Sequence, residues 1–579
     1  MKQTDLKHIA IIGAGPSGLF MFKELLKTGN KKIKITLFEK KSQIGAGMPY
    51  SLEGASREHI TNVSANEIPE LVTSVHDWIQ TVPQEELDTY NINRNHFNDY
   101  KVLPRLLFGQ YLEAQFKLLL ESASQVNVDV QIFSSSNVSD IVDLPEKNTV
   151  QVSVASGKTL EFDIAIICTG HNWPKTLEGK VKGYYDSPYP PAKLGIVANH
   201  PVAIKGSSLT AIDAIRTLAR HNGTFLRNSE NKLIFKKAES SPDFKIMMHS
   251  RSGLLPAIRF HLEDTHLINE GVLTEKEIEL HKNTNEGFLS LDYIFDEDFK
   301  KLLADKDPLM YERIKNLNLE EFTKIIMDYR NEKDPFSLFK HEYREAELSI
   351  KREQSIYWKE LLAVLSFSLN YPAKYLSAED MMRLKKVLMP LISIVIAFVP
   401  QASADEMIAL HDAGVLDIEA VGEDNDVVVK DDNNIFFNFR DEDGNEKSVP
   451  YATYIDCTGQ PHLSIDSFPF RGLVENNSIT QASLRFQSKE KGEKEWQAEN
   501  GKVKNHQDGN YSLEVPGITI NDSFQVIDAQ NEPNPRVYIM AVPYIGGYNP
   551  DYSGLDFCEE ASGRIAEEIK KDIAVLSEI

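Results

Sequence analysis

Ile9-Ala10-Ile11-Ile12-Gly13-Ala14-Gly15-Pro16-Ser17-Gly18 is the stretch that decides the fold. Its four apolar residues read as a short buried strand, and Leu19, Phe22, Leu25 and Leu26 then recur at helical spacing until Gly29-Asn30 supplies a stop. The glycines therefore stand at a strand-to-helix turn. Gly13 permits the tight turn, Gly15 lets a pyrophosphate approach the backbone, and Gly18 lets helix and strand pack closely. The helix N-terminus, entered through Pro16 and Ser17, then faces the phosphates. A second strand, from Ile33 to Phe38, alternates apolar and polar residues and ends in Glu39-Lys40. A carboxylate there accepts hydrogen bonds from an adenosine ribose. Strand, turn, helix, strand and acid in this order predict a dinucleotide site.

The rest of the composition frames that site. A chain of 579 residues with 41% hydrophobic content exceeds what one core organises, so two or three domains are expected. The balance of 63 basic against 86 acidic residues gives −23, which repels nucleic-acid phosphate and anionic lipid. Neither partner is expected. Cys168, Cys457 and Cys558 lie far apart without a Cys-x-x-Cys pair, which gives no disulfide framework or zinc ribbon and fits a reducing cytoplasm. The N-terminus lacks the pattern of a signal peptide. The longest apolar run, Val387 to Pro400, contains Pro390 and Ser393 and falls short of the roughly 20 residues that cross a bilayer, so it reads as a buried helix.

Gly45-Ala46-Gly47-Met48-Pro49-Tyr50, then His59-Ile60-Thr61-Asn62-Val63, then Arg105, Gly109 and Tyr111 of the segment Leu103 to Tyr111 form a recurring pattern. The chain resembles the bacterial FAD/NAD(P)-binding proteins related to single-component, N-hydroxylating flavin monooxygenases. The resemblance implies FAD on the first turn, with Met48, Asn62 and Arg105 near the flavin; the other reading of Arg105 is an ordinary surface helix charge.

Asp163 to His171 and Tyr454 to Gln460 echo one another as apolar strands ending in Thr169-Gly170 and Thr458-Gly459. In two-dinucleotide flavoproteins such ends mark crossings between the FAD and NAD(P) domains, where small residues let backbone pass close to cofactor. Between them, Val202 to Asp213 reads as another strand, turn and helix around Gly206-Ser207-Ser208, with Ser208 where the family has its second glycine. The backbone N–H of serine can still meet a phosphate. The strand from Phe244 to His249 runs into Ser250-Arg251-Ser252-Gly253, where a cation and hydroxyls replace the ribose-reading carboxylate and Arg251 can pair with a 2′-phosphate. This favours NADPH over NADH, a solvated strand-end arginine being the alternative. Leu254-Leu255-Pro256 again resembles the family.

From about 261 to 400 the pattern is one of charged amphipathic helices, including Asp298 to Ala304 and Tyr357 to Leu369. This helical insertion either caps the active site or packs a partner copy. His261, Glu263, Asp264 and His266 lack tetrahedral or facial spacing and read as a solvated face, so no metal site is assigned. Arg259 and Lys340 are candidates for an acidic substrate, but no substrate ligand is named. Near the end, a strand from Arg536 to Val542 and a helix from Ala561 to Ile569 flank a Gly-rich loop. N-hydroxylating monooxygenases carry an Asn followed four positions later by His-Gly-Leu. Here Asn549 has that spacing to Ser553-Gly554-Leu555, with Ser in place of His; the loop otherwise only positions the last helix.

The expected fold class is α/β, with two Rossmann-like dinucleotide-binding domains, a discontinuous FAD domain (1–195 and 450–579), an NAD(P) domain (196–260 and 401–449) and the helical insertion (261–400). The implied cofactors are FAD and NADPH, and the implied partners a small-molecule substrate and molecular oxygen. The chemistry is oxygen transfer, onto the amine of an amino acid by resemblance. A reductase or oxidase without oxygen transfer, or a flavin-binding sensor, are the alternatives. No side chain is singled out as catalytic, because in such enzymes protein groups exclude water and manage protons around the cofactor.

Overall fold

The computed structural model describes residues 6–29, 32–263, 272–430, 434–441, 443–551 and 554–578. Strand Lys7–Ile12, buried along its last four residues, pairs in parallel with Ile33–Phe38 on one side and Ile164–Ile167 on the other. Asp129–Phe133 extends the first side, and Pro533–Ile539 and Gln525–Ile527 extend the second, making a six-stranded sheet fed from both ends of the chain. Helix Pro16–Lys27 buries Leu19, Phe20, Phe22 and Leu25, each burial contributing ~1.5–3 kcal/mol. Its other neighbour is the C-terminal helix Leu555–Glu578, joined to it by Ser17 Oγ and Cys558 Sγ at 3.3 Å and by Lys23 Nζ and Glu559 Oε1 at 2.7 Å.

A second sheet has five parallel strands in the order Tyr184–Tyr185, Thr453–Asp456, Pro201–Lys205, Lys245–Ser250, Leu416–Ala420. Helix Leu209–Asn222 follows its central strand and buries Ala211, Ile212, Ile215 and Leu218. In both units a three-stranded antiparallel meander leads into a returning strand beside the first one. The meanders are Val138–Leu144, Thr149–Val154 and Thr159–Phe162 in one unit, and Asp426–Val429, Ile435–Arg440 and Glu446–Tyr451 in the other. The Thr-Gly echo of the sequence is thus the returning strand of a repeated unit. The second unit also runs past the divisions at 195 and 450. Thr453–Asp456 returns to its own sheet because it bonds in parallel to Pro201–Lys205, and Tyr184–Tyr185 pairs with it in turn.

Between the second sheet's strand Lys245–Ser250 and helix Gln401–Asp412 lies the helical insertion. Tyr357–Ser368 is the helix its apolar spacing foretells. The stretch read as Asp298 to Ala304 is instead a π turn, Asp296–Lys301, running into helix Leu302–Lys306. The apolar run from Val387 is split between a second π turn, Leu384–Leu388, and helix Met389–Val395, which buries Leu391, Ile392 and Val395. Among the described residues no helix is long and apolar enough to cross a membrane.

Two consequences are measurable. A Cβ at Gly18 would sit 2.1 Å from the Gly13 carbonyl oxygen. Gly18→Ala therefore either lowers the denaturation midpoint strongly or abolishes folding, whereas Gly157→Ala, at a turn with open space, costs only the ~1–3 kcal/mol of a left-handed residue. His249 is buried with Nε2 2.9 Å from Tyr451 Oη and its ring 4.2 Å from that of Phe437, and burial pushes its imidazole down to about 4. The ring is held neutral in the fold and titrates near its ordinary 6.5 when unfolded. Its contribution to stability is therefore complete above pH 6.5 and is lost as pH falls through about 4, amounting to ~2–3 kcal/mol. Urea midpoints at pH 7 and pH 5 should differ less in His249→Gln than in the native chain; equal differences would contradict this assignment.

Candidate functional site

The two Gly turns have the same geometry. Gly13 has φ +102° and its absent Cβ would lie 2.7 Å from the Cys168 carbonyl oxygen; Gly206 has φ +107° and would meet the Cys457 carbonyl oxygen at 2.7 Å. Only glycine tolerates both the left-handed backbone and the contact. Gly15 precedes its helix at φ −80°, ψ −164°, and Ser208 precedes the second at φ −87°, ψ −166°. Ser208 therefore sits in extended backbone open to any residue and leaves the helix N-terminus of Leu209–Asn222 intact, with Ser207 Oγ donating to the Leu254 carbonyl at 2.9 Å. Gly18 corresponds to the buried Ala211.

Strand register also aligns the residues that follow. Gly13 N–H donates to the Phe38 carbonyl and Gly206 N–H to that of His249, so Glu39 and Ser250 are equivalent, as are Lys40 and Arg251. The buried Glu39 carboxylate accepts Ala14 N–H at 2.9 Å and Lys41 N–H at 3.1 Å, which fixes it beside the turn. Ser250 Oγ is buried without a partner among the described residues, while Lys40 and Arg251 are exposed. The sequence pointed to a cation and hydroxyls in place of the acid; the register puts Ser250 at that place and Arg251 one step outward. Beyond the ends of strands Lys245–Ser250 and Leu416–Ala420 opens a cleft of about 390 Å³, walled by Ser252, Gly253 and Leu254, by Lys333 of the insertion, and by Glu419 and Asp441.

The crossings meet each other. Asn172 N–H donates to Gln460 Oε1 at 2.7 Å and Gln460 Nε2 to the Asn172 carbonyl at 2.8 Å, while Trp173 Nε1 donates to the Gly459 carbonyl. Thr458 is turned onto Asp456, whereas Thr169 Oγ1 is buried beside the first turn with no partner among the described residues, and Gly170 is exposed. An orphaned hydroxyl at the end of a strand, a turn that admits no Cβ and an acid fixed beside it fit a dinucleotide. Met48 packs its sulfur where a Cβ of Gly54 would be, and the Asn62 carbonyl accepts from Arg259. Asn549 is buried with Nδ2 donating to the Asp551 carbonyl at 2.9 Å; Gly554 is exposed, Leu555 is buried at the start of the last helix, and Ser553 lies outside the described residues.

The insertion reaches both units. Asn370 Oδ1 accepts Asp551 N–H at 3.0 Å in the closing loop, and Tyr371, Lys374 and Tyr375 converge on Asp522. Arg330 Nη2 donates to the Leu255 carbonyl at 3.0 Å and pairs with Glu342, itself held by Lys359. The cations weighed for an acidic substrate are occupied. Arg259 is buried against Asn62, Ser64 and Glu67, and Lys340 pairs with Asp412 at 2.6 Å. Glu263 accepts from Ser355 and Tyr357, and His261 packs on Tyr100; Asp264 and His266 lie outside the described residues. Among the described residues no group of His, Cys, Asp and Glu could hold a metal ion.

Residues 10–172 match the family model described as FAD-NAD(P)-binding. The chain carries an FAD-NAD(P)-binding domain. Residues 274–396 match that of the YdhS-like middle domain, which coincides with the helical insertion. Uncharacterized protein YdhS of Escherichia coli strain K12 is 28% identical over 81% of this chain and 86% of its own length. Flavin-containing monooxygenase FMO GS-OX3 of Arabidopsis thaliana is 24% identical over 29% of this chain and 36% of its own. Among solved structures, L-lysine 6-monooxygenase from Pseudomonas syringae aligns over 98% of this chain and 99% of its own, at 11% identity and a TM-score of 0.47.

Within this flavoprotein Arg105 is an internal group rather than a surface charge. Its Nε donates to the Ile60 carbonyl at 3.1 Å and its Nη1 to Asp213 Oδ2 at 2.5 Å, reaching from the FAD-NAD(P)-binding domain to the helix of the second turn. Tyr189 Oη also donates to Asp213, its phenol pushed up by burial. His59 Nδ1 accepts Ser56 N–H, which leaves the proton on Nε2 to donate toward the Asp213 carbonyl and Thr217 Oγ1, both at 3.1 Å. Sequence reasoning named Arg105 but missed Asp213, which reads as an ordinary polar position of an amphipathic helix. Asp213→Ala would leave the Arg105 guanidinium buried and unpaired, costing ~3–5 kcal/mol, with Asp213→Asn between the two. Chemical denaturation reads this directly, and an unchanged midpoint in Asp213→Ala would contradict it.

Proposed function

We propose that this chain is an FAD-dependent, NADPH-using monooxygenase of a small substrate, the amine of an amino acid being the class its family resemblance suggests. Residues 1–195 and 450–579 would form the FAD part, apart from the returning strand of the second sheet; 196–260 and 401–449 form the NAD(P) part, and 261–400 the insertion. The observation that carries the reading is the duplicated turn. Two glycines with the same backbone angle against the same carbonyl, each heading a helix, give one chain two dinucleotide cradles.

Bound FAD supplies hydride acceptance and oxygen activation. The chain's part is placement. Gly13, Gly15, Pro16, Ser17 and Gly18 admit a pyrophosphate to the first helix N-terminus, and Glu39 retains acceptor capacity for the ribose beyond its two backbone bonds. Gly206, Ser207 and Ser208 offer the second helix N-terminus. There the Ser250 hydroxyl, which has no partner among the described residues, and Arg251, with Lys333 on the nearby cleft, suit a 2′-phosphate better than a free ribose. Thr169 Oγ1, Asn549 and the loop held by Asn370 close the reaction side against water. All three thiols are buried and pushed up, which disfavours a dithiol relay.

Purified protein should be yellow, and NADPH should bleach the flavin under anaerobic conditions. In air, NADPH oxidation should couple to a hydroxylated product with little free peroxide. Bleaching with peroxide as the main product would favour an oxidase, and a yellow protein that NADPH does not bleach would sink both enzymatic readings. Arg251→Ala should raise the KM for NADPH by ~10–100-fold while leaving that for NADH nearly unchanged. Equal changes for the two nucleotides would remove the 2′-phosphate assignment.

A further inference from the structure

The insertion supplies part of the wall of the cleft at the second sheet. That cleft opens beyond the ends of Lys245–Ser250 and Leu416–Ala420, neighbouring parallel strands, and open α/β sheets seat their ligands at that edge. Its volume of about 390 Å³ falls within the roughly 300–1,000 Å³ of small-molecule sites. Ser250 stands where Glu39 stands in the first unit, and the cleft begins just beyond it, at Ser252. The adenosine end of a nucleotide seated on the second turn would come to lie there.

Two charged groups on this cleft are left unpaired. Lys333 sits in the turn between helices Leu319–Asn331 and Pro335–Arg352. The turn is fixed on both sides. Arg330 donates to the Leu255 carbonyl at 3.0 Å and to Glu342 at 2.7 Å, and Asp334 caps the next helix by accepting Ser337 N–H at 2.7 Å. The Lys333 ammonium meets no carboxylate among the described residues and lies 5.4 Å from the centre of the Tyr329 ring. Glu419, next to last in strand Leu416–Ala420, likewise makes no side-chain hydrogen bond or ion pair among the described residues. Asp441 on the same cleft is already used, by Lys447 at 3.1 Å and by the Asp443 and Asn445 N–H groups.

We infer that this cleft reads the adenosine end of NADPH from two distant segments, Lys333 of the insertion binding the 2′-phosphate and the Glu419 carboxylate accepting a hydrogen bond from the 6-amino group of adenine. The inference deepens the proposed function and rests on its NADPH reading. An unpaired ammonium on a fixed turn suits a phosphate, with which it forms a charge-assisted hydrogen bond. An unpaired carboxylate accepts from the amino donor of adenine and repels the carbonyl oxygen that hypoxanthine carries at the same position. The insertion is then a specificity element of the nucleotide site.

Calorimetric titration of the yellow holoprotein with NADP⁺, NAD⁺ and nicotinamide hypoxanthine dinucleotide phosphate tests both contacts without turnover. NADP⁺ should bind ~10-fold or more tightly than either of the others. Lys333→Met should narrow the NADP⁺ to NAD⁺ ratio several-fold with little change for NAD⁺, and Lys333→Arg should keep most of it. Glu419→Gln, whose amide both donates and accepts, should narrow the adenine to hypoxanthine ratio several-fold and leave the NADP⁺ to NAD⁺ ratio in place. Each ratio is taken within one protein, so a loss of folded material in a variant does not move it. Native ratios near one, or an unmoved ratio in either Lys333→Met or Glu419→Gln, would overturn the cleft assignment while a nucleotide-binding flavoprotein still stood. Holoprotein that binds none of the three nucleotides would fail the proposed function itself, and this inference with it.

Discussion

The contact between a glycine in left-handed backbone and the carbonyl at the end of a returning strand is the constraint on which this molecule depends, and it occurs twice. Gly13 meets Cys168 and Gly206 meets Cys457, each with its absent Cβ 2.7 Å from the carbonyl oxygen. A side chain at either place would push the strands apart, and the helix that follows would no longer point its N-terminus over the sheet edge. Parallel pairing, crossover helix and meander all follow from holding that corner closed. Because the corner is repeated, the same strand-to-helix turn is presented twice by one chain.

A repeated unit would be of little use if its copies moved freely. Arg105, Asp213, His59 and Tyr189 join the first unit to the helix of the second through buried polar groups whose partners are supplied across the junction. Such a network contributes specificity of placement more than net stability, since desolvation offsets much of the attraction. The insertion adds further attachments, among them Arg330 to the Leu255 carbonyl, Asn370 to the closing loop and Tyr371, Lys374 and Tyr375 to Asp522. It is therefore attached to both units at once.

Much of this was legible in the residues. The first turn, Glu39, the Thr-Gly strand ends and the helical insertion each carry a local signal, because glycine, a terminal acid and apolar periodicity act over a few positions. Ser208 stands where the family has its second glycine, and its backbone angles are ordinary ones that any residue adopts, which the sequence alone does not show. Which residue of Ser250-Arg251-Ser252 stands at the acid's place is set by strand register, whose partners lie far along the chain and are invisible to local spacing. The partner of Arg105 and the π turns were likewise hidden, since each depends on which groups the tertiary fold brings near. The division at 450 missed the returning strand Thr453–Asp456 for the same reason: its neighbours are strands at 184 and 201.

The equivalence of the two turns is tested most directly by hydrogen–deuterium exchange of the FAD-loaded protein with and without NADP⁺. Amides from Ser207 to Ala211 should exchange more slowly when NADP⁺ is added, while those from Ala14 to Leu19 are already protected and change little. Unchanged exchange around Gly206, or protection that appears only at the first turn, would contradict the account.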